Sequence, residues 1–471
     1  MSVVIVGYGM AGARFAAELR QRDPRRTITV FGAEPTRSYN RILLSDVLAG
    51  KLSEDDVPLA EPEGPLDLRV GVEVVDLDPA ERTIRSDDGR TTRYDTLVFA
   101  TGSLPMVPPV AGLTRPNATL IDGAATFRTL DDCRKIVATA ATAKNAIVLG
   151  GGLLGLEAAR GLAMRGLNVE VLHPRRQLME RQLNAEASQL LVVTLANLGV
   201  SVRPNGVAAE VQGTERVEGI LLEDGTELPA DLLVIACGVR PQTAVAERAG
   251  LEVGRGIVVD DRMRTSDPHI YAIGDCSEHR GVSYGFVAPA WEQAKVAAEV
   301  ICGGTSRYLG SRQVARLKAN GVDLATLGDP HLDDERAEVV TFTDVARGTY
   351  QKVVIRDQRL VGAILLGDNP TVGTVTQIFD RDLPVPNDPR SLLFGGSGDA
   401  APATSSPNAT LCNCNGVTTG AIVRAWVGGA RTTADVVAAT RASTGCGTCR
   451  DVVESFVAEL ADEAATEEVV A

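Results

Sequence analysis

Val3-Val4-Ile5-Val6-Gly7-Tyr8-Gly9-Met10-Ala11-Gly12 is the stretch that decides how this chain folds. Four consecutive apolar, β-branched residues predict a strand. A Gly-x-Gly-x-x-Gly turn follows, then a helical pattern from Ala11 to Arg20 and a second strand pattern from Ile28 to Phe31. Glu34 lies 22 residues beyond Gly12, at the end of that second strand. In such a βαβ unit Gly7 permits the tight turn, Gly9 lets backbone approach a pyrophosphate and Gly12 allows close helix packing. The helix N-terminus favours phosphate charge, and Glu34 can accept hydrogen bonds from a ribose diol.

The same unit recurs 143 residues later. Ala146 to Leu149 reads as a strand, Gly150-Gly151-Gly152-Leu153-Leu154-Gly155 as the turn, and Val169 to Leu172 as the next strand, with Glu157 just inside the intervening helix. Two turns imply two dinucleotides, the second held by Gly150, Gly152, Gly155 and Glu157. Where its ribose acid would stand, the chain has His173-Pro174-Arg175-Arg176. Arg175 and Arg176 either meet a 2′-phosphate or are solvated loop charges, so the choice between NADH and NADPH stays open.

The 471 residues allow about three domains at about 150 residues each. Hydrophobic content of 44% and charged content of 23% are those of a globular chain, against disordered or membrane-embedded classes. A net charge of −14 repels nucleic-acid phosphates and anionic membranes, so neither is an expected partner. No secretory signal is visible after Met1, and the apolar stretch Ala146 to Met164 is broken by three glycines, Glu157 and Arg160. The expected location is the cytoplasm. From Tyr308 to Leu366 the pattern changes to alternating strands, including Tyr350 to Ile355 and Leu360 to Leu365 about the turn Arg356-Asp357-Gln358. Gly395 to Thr410 reads as a flexible linker, and the acidic residues past Phe456 as a fraying tail.

Of eight cysteines, four cluster near the end: Cys412-Asn413-Cys414 and Cys446-Gly447-Thr448-Cys449, with helix-like patterning between. Four soft thiolates at this spacing suit a [2Fe–2S] cluster, with structural zinc as the alternative. Cys133, Cys237, Cys276 and Cys302 have no partner spacing and are expected as buried small residues.

These residues together resemble the two-dinucleotide flavoprotein reductases of the glutathione-reductase fold, from Met1 to about Gly395. Phe99-Ala100-Thr101-Gly102, Gly238-Val239-Arg240-Pro241 and Ile270-Tyr271-Ala272-Ile273-Gly274-Asp275 carry the likeness beside the two turns. The resemblance implies FAD at Gly7, Gly9, Gly12, Glu34, Thr101, Gly102, Gly274 and Asp275, and NAD(P)H at the second turn with Gly238. It also implies that Pro289-Ala290-Trp291 lies against the flavin ring. Tyr39 to Asp46 holds no redox cysteine pair and is similar instead to the Tyr-x-Arg-x-x-Leu-Ser element of reductases with iron–sulfur or rubredoxin partners. That likeness puts Arg41 near FAD. Asp46 stands where many relatives have lysine, leaving Lys51 as a substitute.

Leu411 to Val417 with Thr444 to Arg450 resembles the bacterioferritin-associated-ferredoxin type of [2Fe–2S] domain, matching at Cys412, Cys414, Cys446 and Cys449. The expected fold class is therefore α/β: two Rossmann-like dinucleotide-binding domains, an α+β interface domain and a small helical [2Fe–2S] domain. The expected divisions are FAD-binding 1–112 and 246–305, NAD(P)-binding 113–245, interface 306–394, linker 395–410, cluster domain 411–458 and tail 459–471.

Leu178 to Asn184, Leu317 to Asp323 and Tyr350 to Asp368 narrow the resemblance to the N-terminal half of assimilatory nitrite reductase large subunits and to the electron-transfer subunit of assimilatory nitrate reductase. Nitrite reductases continue into a sirohaem region, and this sequence stops at Ala471. The expectation is an NAD(P)H oxidoreductase that needs no catalytic nucleophile or base and passes electrons through FAD and [2Fe–2S] to a separate nitrate or nitrite reductase polypeptide. A rubredoxin, ferredoxin or oxygenase acceptor fits the same mechanism. A bacterioferritin-docking adaptor for iron mobilisation is what the cysteine domain alone would suggest.

Overall fold

The computed structural model describes residues 2–62, 64–394, 407, 409–412, 417–443 and 449–470. Strand Ser2–Val6 is the centre of a five-stranded sheet because its side chains are apolar on both faces, and Val3 and Ile5 are wholly buried. Thr27–Gly32 and Thr96–Phe99 flank it in parallel, with Asp67–Val70 and Ile270–Ala272 at the two edges. Helix Met10–Arg22 covers it through Phe15, Ala16 and Leu19. Ile270–Ala272 joins this sheet although the whole second βαβ unit intervenes in the chain, so that unit is an insertion.

The inserted unit repeats the plan. Asn145–Leu149 is central between Asn168–His173 and Leu232–Ile235, with Val200–Pro204 and Ala124–Thr126 outside, all parallel. Each unit also carries a three-stranded antiparallel sheet: Val74–Asp78, Thr83–Ser86 and Thr91–Arg93 in the first, Ala208–Gln212, Gly219–Leu222 and Glu227–Pro229 in the second.

The third unit is antiparallel, in the order Val314–Leu317, Leu324–Gly328, Arg359–Leu366, Thr349–Arg356, Glu338–Asp344. Its hairpin turns at Asp357 and Gln358 with φ of 50° and 57°, the left-handed pair that matches the twist of the strands. Helix Val372–Asp380 packs on it.

In the last unit Thr410–Cys412 pairs with Val417–Thr418 beside helices Thr419–Val427, Thr433–Thr440 and Arg450–Val470. Thr418 and Thr432 cap the first two of these, each accepting a backbone N–H through its side chain. The acidic tail is not frayed as expected. It continues the final helix to Val470, which an Ala- and Glu-rich run of strong helix formers favours. The linker expected at 395–410 lies almost wholly outside the described residues.

Candidate functional site: a cleft shared by all four units

The two glycine turns are near copies in atomic detail. Gly7 has φ 109° and a Cβ there would stand 2.2 Å from the Ala100 carbonyl oxygen; Gly150 has φ 117° and a Cβ would stand 2.3 Å from that of Ala236. A Cβ on Gly12 or Gly155 would lie 2.0 Å from the carbonyl oxygen of Gly7 or Gly150. Strand, turn and helix therefore pack too closely for any side chain at these four positions. Gly9 and Gly152 differ, since a Cβ on either meets nothing within 4 Å. Each N-caps its helix facing open space, as a phosphate cradle requires.

The first turn opens on a cleft of about 860 Å³ to which every unit contributes. Gly7 to Ala11 and Glu34 come from the first unit, Leu153, Leu154 and Glu157 from the second, Lys318 and Gln377 from the third, and Leu411, Cys449 and Val452 from the cysteine domain. Seven basic side chains line it against six acidic ones among the described residues, in a chain of net charge −14.

Glu34 is held by two neighbours: the Tyr39 hydroxyl donates to it at 2.7 Å, and Arg41 forms an ion pair with it. Burial works against the Arg41 charge, but Tyr39 and Glu34 outweigh it and keep the guanidinium above its ordinary range. Arg41 also donates at 2.9 Å to the Arg128 carbonyl. Asp275 accepts from Arg128 at 2.7 Å and from Ser103 at 2.9 Å. Arg128 thereby links two of the expected FAD residues, while its buried Nε, at the cleft wall, has no partner among the described residues. A buried donor of this kind fits an acceptor group of a bound ligand. Tyr39 is the tyrosine of the Tyr-x-Arg-x-x-Leu-Ser element, whereas no motif marks Arg128 or Ser103.

Of the other expected residues, Thr101 and Gly102 line the cleft. Thr101 donates to the Gln242 carbonyl at 2.8 Å. The N–H of Gly274 donates to Gln293 at 2.7 Å, and a Cβ there would stand 3.0 Å from the Cβ of Ala11. Glu157 accepts from the Lys318 N–H at 3.0 Å. Burial raises its pKa above the usual carboxyl range, against the opposing Lys318 N–H and charge. Gly238, with φ 101°, accepts from the Met106 N–H at 2.9 Å. Arg175 and Arg176 lie past the second turn, Arg175 being paired with Glu180 at 3.3 Å. Lys51 pairs with Asp46 at 3.6 Å and is not among the cleft-lining residues.

Trp291 departs from expectation. Its neighbours Pro289, Ala290 and Glu292 line the cleft, but its own ring turns away. Its Nε1–H donates to the Met10 carbonyl at 3.1 Å, and the Arg14 guanidinium lies 5.4 Å from its ring centre. The ring shares one buried cluster with Met10, Leu411, Cys412, Cys449, Val453 and Phe456, so it joins the first unit to the cysteine domain.

Cys412 is fully buried and Cys449 is 8% exposed in that cluster, the second at the cleft wall. Buried thiols in a small apolar setting fit soft iron–sulfur ligation. Cys414 and Cys446 lie outside the described residues. Among the remaining cysteines, Cys133 and Cys276 are buried as expected, but Cys237 and Cys302 are exposed, one following a strand and the other C-capping helix Val287–Ile301. Burial pushes the Cys133 thiol up to about 11, which disfavours the reactive thiolate.

Residues 1–299 match the pyridine nucleotide-disulphide oxidoreductase family. The chain belongs to that family. Residues 314–378 of this oxidoreductase match the rubredoxin NAD+ reductase C-terminal domain, and 410–459 the BFD-like [2Fe–2S] binding domain. Its cofactors are accordingly FAD, NAD(P)H and [2Fe–2S]. It is 39% identical to nitrite reductase [NAD(P)H] of Bacillus subtilis, over 97% of this chain and 57% of that protein. It is 37% identical to the assimilatory nitrate reductase electron transfer subunit of the same organism, over 97% of this chain and 59% of that one. The chain thus spans less than two thirds of the length of either relative. The crystal structure of the covalent putidaredoxin reductase–putidaredoxin complex superposes with a TM-score of 0.76 at 28% identity, over 84% of this chain and 96% of that one.

Proposed function

We propose that this oxidoreductase takes hydride from NAD(P)H and delivers electrons singly, through its cysteine domain, to a separate protein of the assimilatory nitrate or nitrite reductase kind. One observation carries the reading: Leu411, Cys449 and Val452 of the cysteine domain line the same cleft as the first glycine turn and Glu157 of the second unit. Bound FAD supplies the conversion between two-electron and one-electron chemistry, and a bound [2Fe–2S] cluster supplies one-electron carriage.

The chain's own residues do the rest. Gly7, Gly9, Gly12, Glu34, Arg41, Thr101, Gly102, Gly274 and Asp275 hold FAD, with Arg128 and Tyr39 orienting the charged groups. Gly150, Gly152, Gly155 and Gly238 hold NAD(P)H, and Leu153 and Leu154 shield the junction from water. Cys412, Cys414, Cys446 and Cys449 hold the cluster. The divisions at 112, 245, 305, 394, 410 and 458 belong to the same proposal, as does a cytoplasmic location. No described helix is long and apolar enough to cross a membrane.

A small iron–sulfur acceptor is the second reading, favoured by the match of residues 314–378 to rubredoxin reductases and by the superposed putidaredoxin reductase. Anaerobic titration with NADH and NADPH, read by visible and electron-paramagnetic spectra, tests the cofactor path. Failure of both reductants to bleach flavin refutes it. Adding nitrate reductase, nitrite reductase, rubredoxin or ferredoxin in turn then separates the two readings by which of them is reduced.

A further inference from the structure

The two dinucleotide units fill one gap from opposite sides. Val6 stands beside Phe31 in the first sheet and Leu149 beside Leu172 in the second, so Gly32 and His173 are equivalent positions at the strand ends. In the first unit the turn carries the larger residue: a Cβ on Gly32 would come 3.2 Å from the Cβ of Tyr8. In the second the strand end carries it: a Cβ on Gly151 would come 2.9 Å from Cγ of His173 and 2.4 Å from Leu178. The exchange also puts Arg175 at the position of Glu34.

His173 is 7% exposed and spans the turn. The N–H of Gly151 lies 3.2 Å from its Nδ1, and its Nε2 lies 2.8 Å from the Gln177 carbonyl oxygen. A carbonyl only accepts, so Nε2 carries the proton and Nδ1 presents the lone pair to Gly151. The Gly151 carbonyl in turn accepts from the Met179 N–H at 3.0 Å. Both backbone polar groups of Gly151 are thus tied to segment 173–179. The charged groups facing the ring are Glu180, 3.4 Å from Nε2, and through it Arg175.

We propose that His173 is a positioning residue of the NAD(P)H site: its neutral Nδ1 fixes Gly151 so that Gly152 and the helix N-terminus after it present their amides to the pyrophosphate. This rests on reading the second glycine turn as the NAD(P)H site. The histidine stands where the first unit has Gly32, and its hydrogen bond acts inward on the turn itself.

The test is isothermal titration of the oxidised, FAD-loaded full chain with NAD+ and NADP+, comparing wild type, His173→Asn and His173→Gln. Asparagine places an acceptor where Nδ1 was; glutamine places its polar end near Nε2 and leaves Gly151 without one. The proposal expects Kd within about twofold of wild type for H173N and roughly tenfold weaker for H173Q, the scale of one lost hydrogen bond. Equal binding by H173Q and wild type, or equally weak binding by both variants, overturns it. Absence of binding to wild type instead refutes the reading of the second turn. Nitrogen-15 spectra of labelled wild type add a check that needs no variant, since a ring protonated at Nδ1 overturns the proposal as well.

Discussion

The indole Nε1–H of Trp291 donates a 3.1 Å hydrogen bond to the carbonyl of Met10, the first residue of the helix that follows the first glycine turn. That bond sits inside the apolar cluster formed with Cys412, Cys449 and Phe456. One side chain therefore touches both the element that cradles a dinucleotide and the domain that carries the cysteines.

Trp291→Phe keeps most of the packing and loses the bond, costing about 1 kcal/mol, whereas Trp291→Ala opens a cavity and costs about 3–5 kcal/mol. Amide exchange across Val452 to Val457 should speed up in Trp291→Ala, with flavin bleaching by NAD(P)H unchanged and electron delivery to a protein acceptor slowed. Unchanged exchange would show that the ring does not hold the cysteine domain in place.

The glycines of the first turn divide by what surrounds them. Gly9→Ala places a methyl in open space, so its melting temperature should stay near wild type while FAD affinity falls at least about tenfold through obstruction of the phosphate. Gly12→Ala drives a Cβ to 2.0 Å from the Gly7 carbonyl oxygen and should destabilise the fold itself by about 1–3 kcal/mol. Calorimetry with and without FAD separates the two, and similar melting losses in both would contradict the geometry.

Glu157 makes stability depend on pH with a definite sign. Burial raises its pKa in the folded state, so folded protein binds that proton more tightly than unfolded chain does. Its contribution is full below the unfolded value and is lost as pH rises through the folded one. Glu157→Gln removes the dependence: the melting temperature of wild type minus that of the variant should fall as pH rises above the ordinary glutamate value of about 4.3. A flat difference would rule out a raised pKa.

Cys412→Ser and Cys449→Ser should each lose iron and its visible bands yet keep FAD and its reduction by NAD(P)H, because the residues proposed to hold the two dinucleotides belong to other units of the chain and a serine hydroxyl replaces the thiol at nearly the same size. Metal analysis beside a flavin spectrum checks this, and full iron retention in both variants would remove these residues from the ligand set.

Local chemistry makes much of this arrangement legible in the order of residues. The glycine turns could be read because Gly12 and Gly155 clash with Gly7 and Gly150 only five residues earlier and the strand before each turn is a continuous apolar run, although the close approach of Gly7 to Ala100 and of Gly150 to Ala236 comes from distant segments. The cysteine spacing likewise carries its own ligand chemistry. What the order of residues could not state was which way a side chain turns once distant segments meet. Trp291 faces Met10 rather than the cleft, Arg128 reaches Asp275, and Cys237 and Cys302 come to the surface, each decided by packing between elements far apart in the chain. The two dinucleotide units and the cysteine module were readable from residue order, since their motifs lie within short stretches of chain. That all four units close around one cleft with Cys449 at its wall came from the folded arrangement alone, because it rests on contacts between segments separated by hundreds of residues.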